Sequence, residues 1–270
     1  MSDIQSVSII GCGWFGLPLA KRLLAAGLSV KGCKRTREGV DDISALGIEG
    51  YRLDLQEDAP VPEPLLKADC LIINLPPGIR RGETDYLDRL AKLRDALTAI
   101  PERLIFVSTT GVYPDLPDVL DEADASAHSP GAAILLGAEA LFAGLNTTVV
   151  RFAGLVGPGR HPGRFFAGKT GVGGGALPVN LVHLEDCLSA FEALIAAPTL
   201  GRCYNLCAPG HPSKQDFYTE AARCGGFALP QFAADDSSGK VIDGSLICRE
   251  LGVNYRYPDP LAMLAEPGAF

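Results

Sequence analysis

The sequence feature that most constrains the fold is a glycine-rich turn near the start of the chain. It reads GCGWFG at positions 11–16, directly after an apolar run and directly before a segment with helical period. In such a strand–turn–helix, Gly11 permits a tight turn, Gly13 lets the backbone approach a pyrophosphate, and Gly16 allows close helix–strand packing. The turn predicts the first βαβ unit of a dinucleotide-binding domain. The alternative is a glycine turn that binds no ligand.

Short apolar runs alternate with helical segments along the first half of the chain. Strands are predicted at 7–10, 28–33, 50–53, 70–75, 103–108 and 147–152. Helices are predicted near 14–26, 39–46, 84–100 and 132–145. Nearly continuous apolar strands, such as CLIINL, are typical of a parallel sheet covered by helices on both faces. The prediction is therefore an α/β fold, a doubly wound Rossmann sheet.

The amino-acid composition of the chain changes after about residue 153, where glycine and basic residues become frequent. We predict a Rossmann domain over 1–153, with 181–196 packing on it. Residues 154–180 and 197–270 are predicted to form a smaller α+β lobe that holds the substrate.

The end of the second predicted strand favours one cofactor over another. An acidic residue at this place commonly binds the adenosine ribose, but the sequence here reads Lys34-Arg35-Thr36. The two cations could pair with a 2′-phosphate, so NADP is predicted rather than NAD. A solvated basic turn is the alternative. The full predicted cofactor-binding set is Gly11, Cys12, Gly13, Trp14, Phe15, Gly16, Lys34, Arg35, Thr36, Asp54, Leu75, Pro76 and Ser108.

The composition argues against several kinds of partner. With 24 Lys and Arg against 32 Asp and Glu, the net charge is −8, which disfavours binding to nucleic acid or an anionic membrane. No run of about 18 apolar residues predicts a spanning helix, and no secretory signal pattern is visible. The eight cysteines include no C-x-x-C pair, and the four histidines form no cluster with them. We expect a cytoplasmic protein with reduced thiols and no metal.

Several motifs in order resemble a known family. They are GCGWFG at 11–16, STTGVY at 108–113, RFAGLVGPGR at 151–160, LVHLEDC at 181–187 and YNLCAP at 204–209. This series resembles the extended short-chain dehydrogenase/reductase superfamily, also called NAD-dependent epimerase/dehydratases. The run GLVGPGRHPGRFFAGKT, with the closing ICRELG and YPDP, is similar to the YeeZ branch of that superfamily. The resemblance implies a Rossmann sheet with a small C-terminal substrate lobe, and it implies a homodimer as one assembly.

The resemblance also implies a catalytic set, which this chain matches only in part. The family uses a Ser or Thr after the fifth strand and a Tyr-x-x-x-Lys on the next helix. Thr109 matches the first, but the tyrosine and lysine positions fall on Gly131 and Leu135, which cannot exchange a proton. Another group must then act as the acid. Tyr113 is the first candidate, because it follows the strand whose carboxyl end faces the cofactor in such folds. Thr109 and Tyr113 are therefore the predicted catalytic residues.

His183 is a second candidate for the missing acid, although a histidine in a V-H-x-x-D stretch is more often structural. Asp186 in the same stretch is expected to cap or orient local backbone rather than to act as a base.

A basic segment in the second half of the chain predicts the nature of the substrate. Arg160, His161, Arg164 and Lys169 lie within ten residues in an otherwise acidic protein. Guanidinium groups bind carboxylate or phosphate through paired hydrogen bonds, so a small anionic substrate is predicted. A loop that is salt-bridged to the acidic surface is the alternative.

These observations predict an NADP-dependent oxidoreductase of an atypical extended type, acting on a small anionic hydroxy or carbonyl compound. Two alternatives stay open at this point. One is a non-catalytic NADP-binding sensor, which the missing pair favours. The other is an epimerase or dehydratase with a substitute proton donor.

Overall fold

The computed structural model describes residues 4–79, 82–201, 203–234 and 236–270. The strands are β1 Ser6–Ile10, β2 Ser29–Lys34, β3 Glu49–Arg52, β4 Cys70–Ile73, β5 Arg103–Thr109, β6 Val119–Leu120, β7 Thr147–Phe152, β8 Gly154–Val156, β9 Leu181–His183, β10 Cys203–Leu206 and β11 Val241–Ile242. The α-helices are α1 Gly16–Ala25, α2 Arg37–Ser44, α3 Glu63–Leu66, α4 Tyr86–Asp95, α5 Pro130–Leu141, α6 Leu184–Ala196, α7 Lys214–Cys224, α8 Ser245–Leu251 and α9 Pro260–Met263.

The central sheet has seven strands in the order β10-β7-β5-β4-β1-β2-β3. The pairs β1–β2, β2–β3, β1–β4 and β4–β5 are parallel, and Ile10 of β1 lies opposite Ile73 of β4. The strand order reverses between β1 and β4, which is the switch point where α/β sheets of this type bind ligands. The doubly wound α/β sheet predicted from the sequence is confirmed.

The sheet is buried because its central strands are apolar on both faces. Every residue of β4 is buried, and so are four of the five residues of β1. One hydrophobic cluster packs Ile73, Leu104 and Phe106 against Leu90 and Phe142 of the helical layer. This packing holds the carboxyl ends of the strands, where the candidate site lies.

The chain divides into two compact units. The first comprises 1–112, 126–151 and 191–204, and the second comprises 113–125, 152–190 and 205–270. The second unit has its own core, in which Phe217 and Ala221 pack with Leu181 and Met263. None of the helices within the described ranges combines the length and apolar character needed to cross a membrane.

This division differs from the predicted domains in several places, including residues 197–204, which fall in the first unit and not in the predicted substrate lobe. Residues 113–125 fall in the second unit because β6 pairs with β11, which lies far along the chain. Residues 181–190 also fall there because β9 pairs with β8. The later part of α6 joins the first unit, where Phe191 packs edge-on against Phe15 with ring centroids 4.8 Å apart.

Candidate functional site

Close packing requires a glycine at two positions of the turn, Gly11 and Gly16. Gly11 has φ +113°, and a Cβ there would lie 2.2 Å from the carbonyl oxygen of Asn74. A Cβ on Gly16 would lie 2.3 Å from the carbonyl oxygen of Gly11. The Asn74 side chain also donates to that carbonyl at 3.1 Å, so the turn is held tightly against the end of β4.

Gly13 is different, because no contact within the chain requires a glycine there. It is exposed, and a Cβ built on it would meet nothing within 4 Å. The helix that follows begins after Phe15 with no side-chain cap and with no acidic residue in its first turn. An uncapped helix start beside open space suits an anion, since the first N–H groups of a helix have no partner within it. The turn therefore fits the pyrophosphate of a dinucleotide.

A cavity of about 420 Å³ adjoins this turn. Many of the predicted cofactor residues line it, namely Gly11, Cys12, Gly13, Lys34, Arg35, Asp54, Leu75 and Pro76. Leu53, Leu55 and Leu90 add apolar surface to the lining, and Gln56 adds a polar side chain. Strand ends that were distant in sequence thus form one pocket at the switch point of the sheet.

The cations at the end of β2 face this cavity without a carboxylate partner. Among the residues that the structure describes, neither Lys34 nor Arg35 lies within ion-pair distance of an acidic group. Thr36 has a local role instead, because its Oγ1 accepts the Gly39 N–H at 3.1 Å and caps α2. Asp54 accepts the N–H of Gln56 at 3.1 Å through one carboxylate oxygen.

The residues that α4 and the segment just before it contribute to this cavity were not predicted from the sequence. Glu83, Tyr86 and Arg89 line it, and Arg89 pairs with Glu83 at 2.8 Å. The Tyr86 hydroxyl donates to the Leu75 carbonyl at 3.2 Å, and burial raises the pKa of this phenol. The helical spacing of Tyr86, Arg89 and Leu90 would have indicated a common face, but nothing in the sequence pointed that face at the turn.

The two thiols beside the turn are chemically inert. Burial raises the pKa of Cys12 to about 11 and that of Cys33 to about 12. A thiol reacts as its thiolate, so neither residue is a nucleophile at neutral pH. Cys12 instead packs against Gly32, where an added Cβ would lie 2.5 Å from its Sγ.

At the end of β5, Ser108 and Thr109 have different surroundings. The Ser108 hydroxyl donates to Oε1 of Glu139 at 2.6 Å, and Glu139 also accepts from Arg151 at 3.0 and 2.7 Å. The side chains of this ion pair are at most 10% exposed, so Ser108 belongs to a buried structural network. Thr109 is half-buried, and its Oγ1 accepts the Gly111 N–H at 3.3 Å.

The positions expected for the family's tyrosine and lysine lie at the start of α5. A Cβ on Gly131 would have only Ser129 Oγ within 4 Å, at 3.9 Å, so this position is open. Leu135 is buried, and its Cδ1 lies 3.2 Å from where a Gly111 Cβ would stand. Neither position offers a group that exchanges a proton.

His128, which the sequence did not predict as a site residue, lies near the end of β5. It is exposed, and its Nε2 is 3.4 Å from the Gly111 carbonyl oxygen. No motif marks this residue, and the contact joins positions 17 residues apart. Only the folded chain brings it to the strand end.

In the second unit, Tyr113 is held in a buried network. It is fully buried, its hydroxyl donates to Asn205 Oδ1 at 2.7 Å, and its carbonyl accepts from Lys240 at 2.6 Å. Asn205 in turn donates to the Asp243 carbonyl at 3.1 Å. This arrangement does not support Tyr113 as a proton donor, because the hydroxyl is committed and has no access to a substrate.

His183 and Asp186 have structural partners in the same unit. His183 is buried, accepts the Glu185 N–H at Nδ1 (3.1 Å), and makes a 2.7 Å contact from Nε2 to the Ala269 carbonyl. Burial lowers the pKa of His183. Asp186 accepts the N–H groups of Arg256 and Tyr257, while burial raises its pKa to about 6. Both residues fasten the last segment of the chain to β9 and α6.

The basic segment combines exposed cations with aromatic rings. Arg164 lies over the Phe227 ring at 5.6 Å, and Lys169 lies over the Phe166 ring at 5.3 Å. Within the described ranges, neither cation has a carboxylate at ion-pair distance, which disfavours the alternative of a salt-bridged loop for these two residues. Phe165 beside them is 59% exposed.

The other two predicted substrate residues of this segment differ. His161 accepts the Gly163 N–H at 3.1 Å and packs against Phe227 and Phe270, and burial lowers its pKa. It is therefore a packing residue in this arrangement. Arg160 is exposed, and its backbone N–H donates to the Gly157 carbonyl at 2.8 Å in a tight turn.

Comparison with known proteins shows a close similarity to protein YeeZ of Escherichia coli. Protein YeeZ of Escherichia coli strain K12 is 43% identical to this chain over 279 residues, covering 97% of this chain and 100% of the relative. No protein-family model matches the chain.

Solved structures agree with the fold. A conserved protein of unknown function from Silicibacter pomeroyi superposes with TM-score 0.76 at 24% identity, covering 96% of each chain. A candidate NAD-dependent epimerase/dehydratase from Methylobacillus flagellatus gives 0.74 at 25% identity, covering 97% of this chain and 96% of its own. The UDP-glucuronic acid 4-epimerase of Bacillus cereus, in complex with UDP-glucuronic acid and NAD, gives 0.75 at 17% identity, covering 93% and 94%.

Proposed function

Since this chain belongs to the YeeZ family and has the fold of the extended short-chain dehydrogenase/reductases, we propose that it binds NADP and acts as an oxidoreductase. The observation that carries the proposal is the turn at 11–16, where Gly11 and Gly16 are required by packing but Gly13 opens onto unfilled space. Structural neighbours solved with NAD support a nicotinamide dinucleotide as the ligand.

NADP is proposed over NAD because of the charge at the end of β2. Lys34 and Arg35 line the cavity with no acidic partner in the described part of the chain. NAD and NADP differ at the 2′ position of the adenosine ribose, where NAD has a neutral hydroxyl and NADP has a phosphate that can accept charge-assisted hydrogen bonds from these cations. Asp54 lies one strand further along the same edge, where a carboxylate can accept from an adenine amino group.

The proposed substrate is a small anionic hydroxy or carbonyl compound. Its support is the pair Arg164 and Lys169, two exposed cations on a protein of net charge −8. The bound dinucleotide supplies or accepts a hydride at its nicotinamide ring. Thr109, half-buried at the end of β5, is proposed to donate a hydrogen bond to the reacting oxygen of the substrate. A cytoplasmic location is part of the proposal, and the eight unbridged cysteines support it.

A non-catalytic NADP sensor is the second candidate, favoured by one specific observation. Gly131 and Leu135 stand where the family has its catalytic tyrosine and lysine. A protein that only senses the nucleotide needs neither of those two catalytic residues. An epimerase or dehydratase would need a substitute for the same proton donor.

The test is a titration of purified protein with NADPH and with NADH, followed by hydride exchange between 4-deuterated NADPH and a panel of small keto acids. Binding with exchange would support the oxidoreductase. Binding without exchange across the panel would favour the sensor. If neither nucleotide binds, the proposed function is refuted.

A further inference from the structure

A hydride reaction at a carbonyl needs a group that exchanges a proton with the reacting oxygen, since the oxygen gains negative charge as the hydride arrives. Most titratable groups around the cavity of the first unit are committed elsewhere. Cys12 and Cys33 are buried thiols, Tyr86 donates to a carbonyl, and Glu83 pairs with Arg89.

The same holds beside β5, where Glu139 is occupied by Arg151 and Ser108. His128 is different, because it is exposed and its one described hydrogen-bond contact is with the Gly111 carbonyl. Imidazole is also the side chain whose ordinary pKa lies closest to neutral. Its position at the end of β5 therefore makes it the best-placed group of the first unit for this chemistry.

Both the backbone and the ring of His128 are oriented by the fold. Ser126 donates its N–H to the Val112 carbonyl at 3.1 Å, and Ser129 caps α5 by accepting the Ala132 N–H at 3.1 Å. These two anchors flank His128 on either side. The chain therefore presents its ring beside the short 3-10 turn Thr110–Val112.

One residue links His128 to Thr109. The Gly111 N–H donates to Thr109 Oγ1, and the Gly111 carbonyl faces His128 Nε2. Because a carbonyl oxygen can only accept, Nε2 carries the hydrogen in this contact, and Nδ1 is left to exchange a proton. The open position at Gly131, three residues further on, leaves room at the start of α5.

We propose that His128 is the proton donor and acceptor of the reaction, through Nδ1, with Thr109 binding the same substrate oxygen; this inference rests on the proposed function. In the reducing direction, the substrate carbonyl carbon accepts the hydride, and the π electron pair of the C=O bond moves to oxygen. That oxygen takes the proton from Nδ1 of the protonated ring. The substrate is reduced to a hydroxyl compound, the nicotinamide is oxidised, and the imidazole is left neutral.

The first test needs no identified substrate. Histidine ring resonances are assigned by nitrogen-15 NMR with His128→Gln, and each ring is compared between the NADP⁺ and NADPH complexes at one pH. A ring that exchanges a proton with the substrate oxygen must lie close to the nicotinamide, so the change of charge on that ring is expected to shift the His128 nitrogen resonances. His211, which contacts a backbone carbonyl in the second unit, is the internal control and should not differ. Identical His128 resonances in the two complexes would overturn this inference alone, while absence of nucleotide binding would overturn the proposed function as well.

The second test uses single-turnover hydride transfer with any keto acid that the wild-type protein reduces. His128→Gln keeps a donor for the Gly111 carbonyl but cannot exchange a proton, so transfer should fall by about 100-fold to 10,000-fold. NADPH affinity should stay within about twofold, since phosphate and adenine contacts dominate it. Added imidazole should restore part of the rate in His128→Ala, which a structural role would not allow. Full activity of His128→Gln, or no rescue of His128→Ala, would refute the assignment.

Discussion

The three glycines of the turn should separate into two classes when each is replaced by alanine. In Gly11→Ala the new Cβ would overlap the Asn74 carbonyl oxygen at 2.2 Å and would hold an L-residue at φ +113°. Strained backbone and overpacking each cost about 1–3 kcal/mol, so we expect a loss of about 3 kcal/mol or more. For a chain of this length that lowers Tm by roughly 6–12 °C.

Gly16→Ala should also destabilise the protein, because its Cβ would lie 2.3 Å from the Gly11 carbonyl oxygen. With no unfavourable φ to add, the expected cost is about 1–3 kcal/mol. Gly13→Ala should leave stability within about 0.5 kcal/mol, since its Cβ meets no atom of the chain. Its effect should instead appear in NADPH binding, because the new methyl group would stand in the space that the pyrophosphate approaches. Holding the phosphate away from one charge-assisted hydrogen bond at the helix start would weaken Kd by about 10-fold to 150-fold.

Thermal unfolding without ligand and NADPH titration by fluorescence measure the two effects separately. Gly173→Ala is the matched control, because this glycine also has open space around its Cβ position and lies in the second unit; it should change neither quantity. Unaltered NADPH binding in Gly13→Ala would refute the argument that the dinucleotide approaches this residue. A Tm loss in Gly13→Ala as large as that in Gly11→Ala would show that packing, and not a ligand, requires the glycine.

Three further outcomes are expected. Replacing Lys34 and Arg35 together by alanine should reduce the ratio of NADPH to NADH affinity by about tenfold or more, at about 1.4 kcal/mol per tenfold; an unchanged ratio in paired titrations would contradict the 2′-phosphate assignment. Arg164→Ala should weaken binding of an anionic keto acid, measured by calorimetry, while NADPH affinity stays constant, and equal keto-acid affinity would remove the residue from the proposed anchor. The pKa of Asp186 is raised to about 6 by burial, so the folded protein binds more protons than the unfolded chain between about pH 4 and 6, and this residue's contribution to stability falls as pH rises through that window. The free energy of unfolding of Asp186→Asn, relative to that of wild type, should therefore rise from pH 4.5 to pH 7.5. A difference between the two free energies of unfolding that does not change with pH, measured with denaturant, would contradict the link.

The sheet could be predicted from the sequence because its signals are local. The strand predicted at 147–152 is Thr147–Phe152 in the structure, and the others begin or end within about two residues of their predicted bounds. The strand predicted at 70–75 ends at Ile73, and the Asn74 side chain beyond it donates to the Gly11 carbonyl. The helix predicted at 84–100 is shorter in the structure, Tyr86–Asp95. The apolar spacing that predicted the helix continues past Asp95, so it did not mark where the helix ends.

The second unit and the proton donor could not be predicted in the same way, because their contacts are non-local. The two-residue strand Val119–Leu120 carries no periodic pattern, and its partner Val241–Ile242 lies more than a hundred residues away. Tyr113 follows a recognisable motif, but its burial depends on Asn205. His128 has no motif at all, and its proximity to Gly111 depends on how the chain returns to the start of α5.

The buried thiol of Cys12 offers a way to time the motions of the turn. Its side chain is 1% exposed and packs against Gly32, so an alkylating reagent can reach it only when this part of the chain opens locally. Cys224 on α7 is exposed and donates to Glu220 at 3.2 Å, so it serves as a reference thiol that does not depend on the turn. The ratio of the two labelling rates thus measures how often the turn opens, and a ligand that closes over Gly13 would slow Cys12 while leaving Cys224 unchanged.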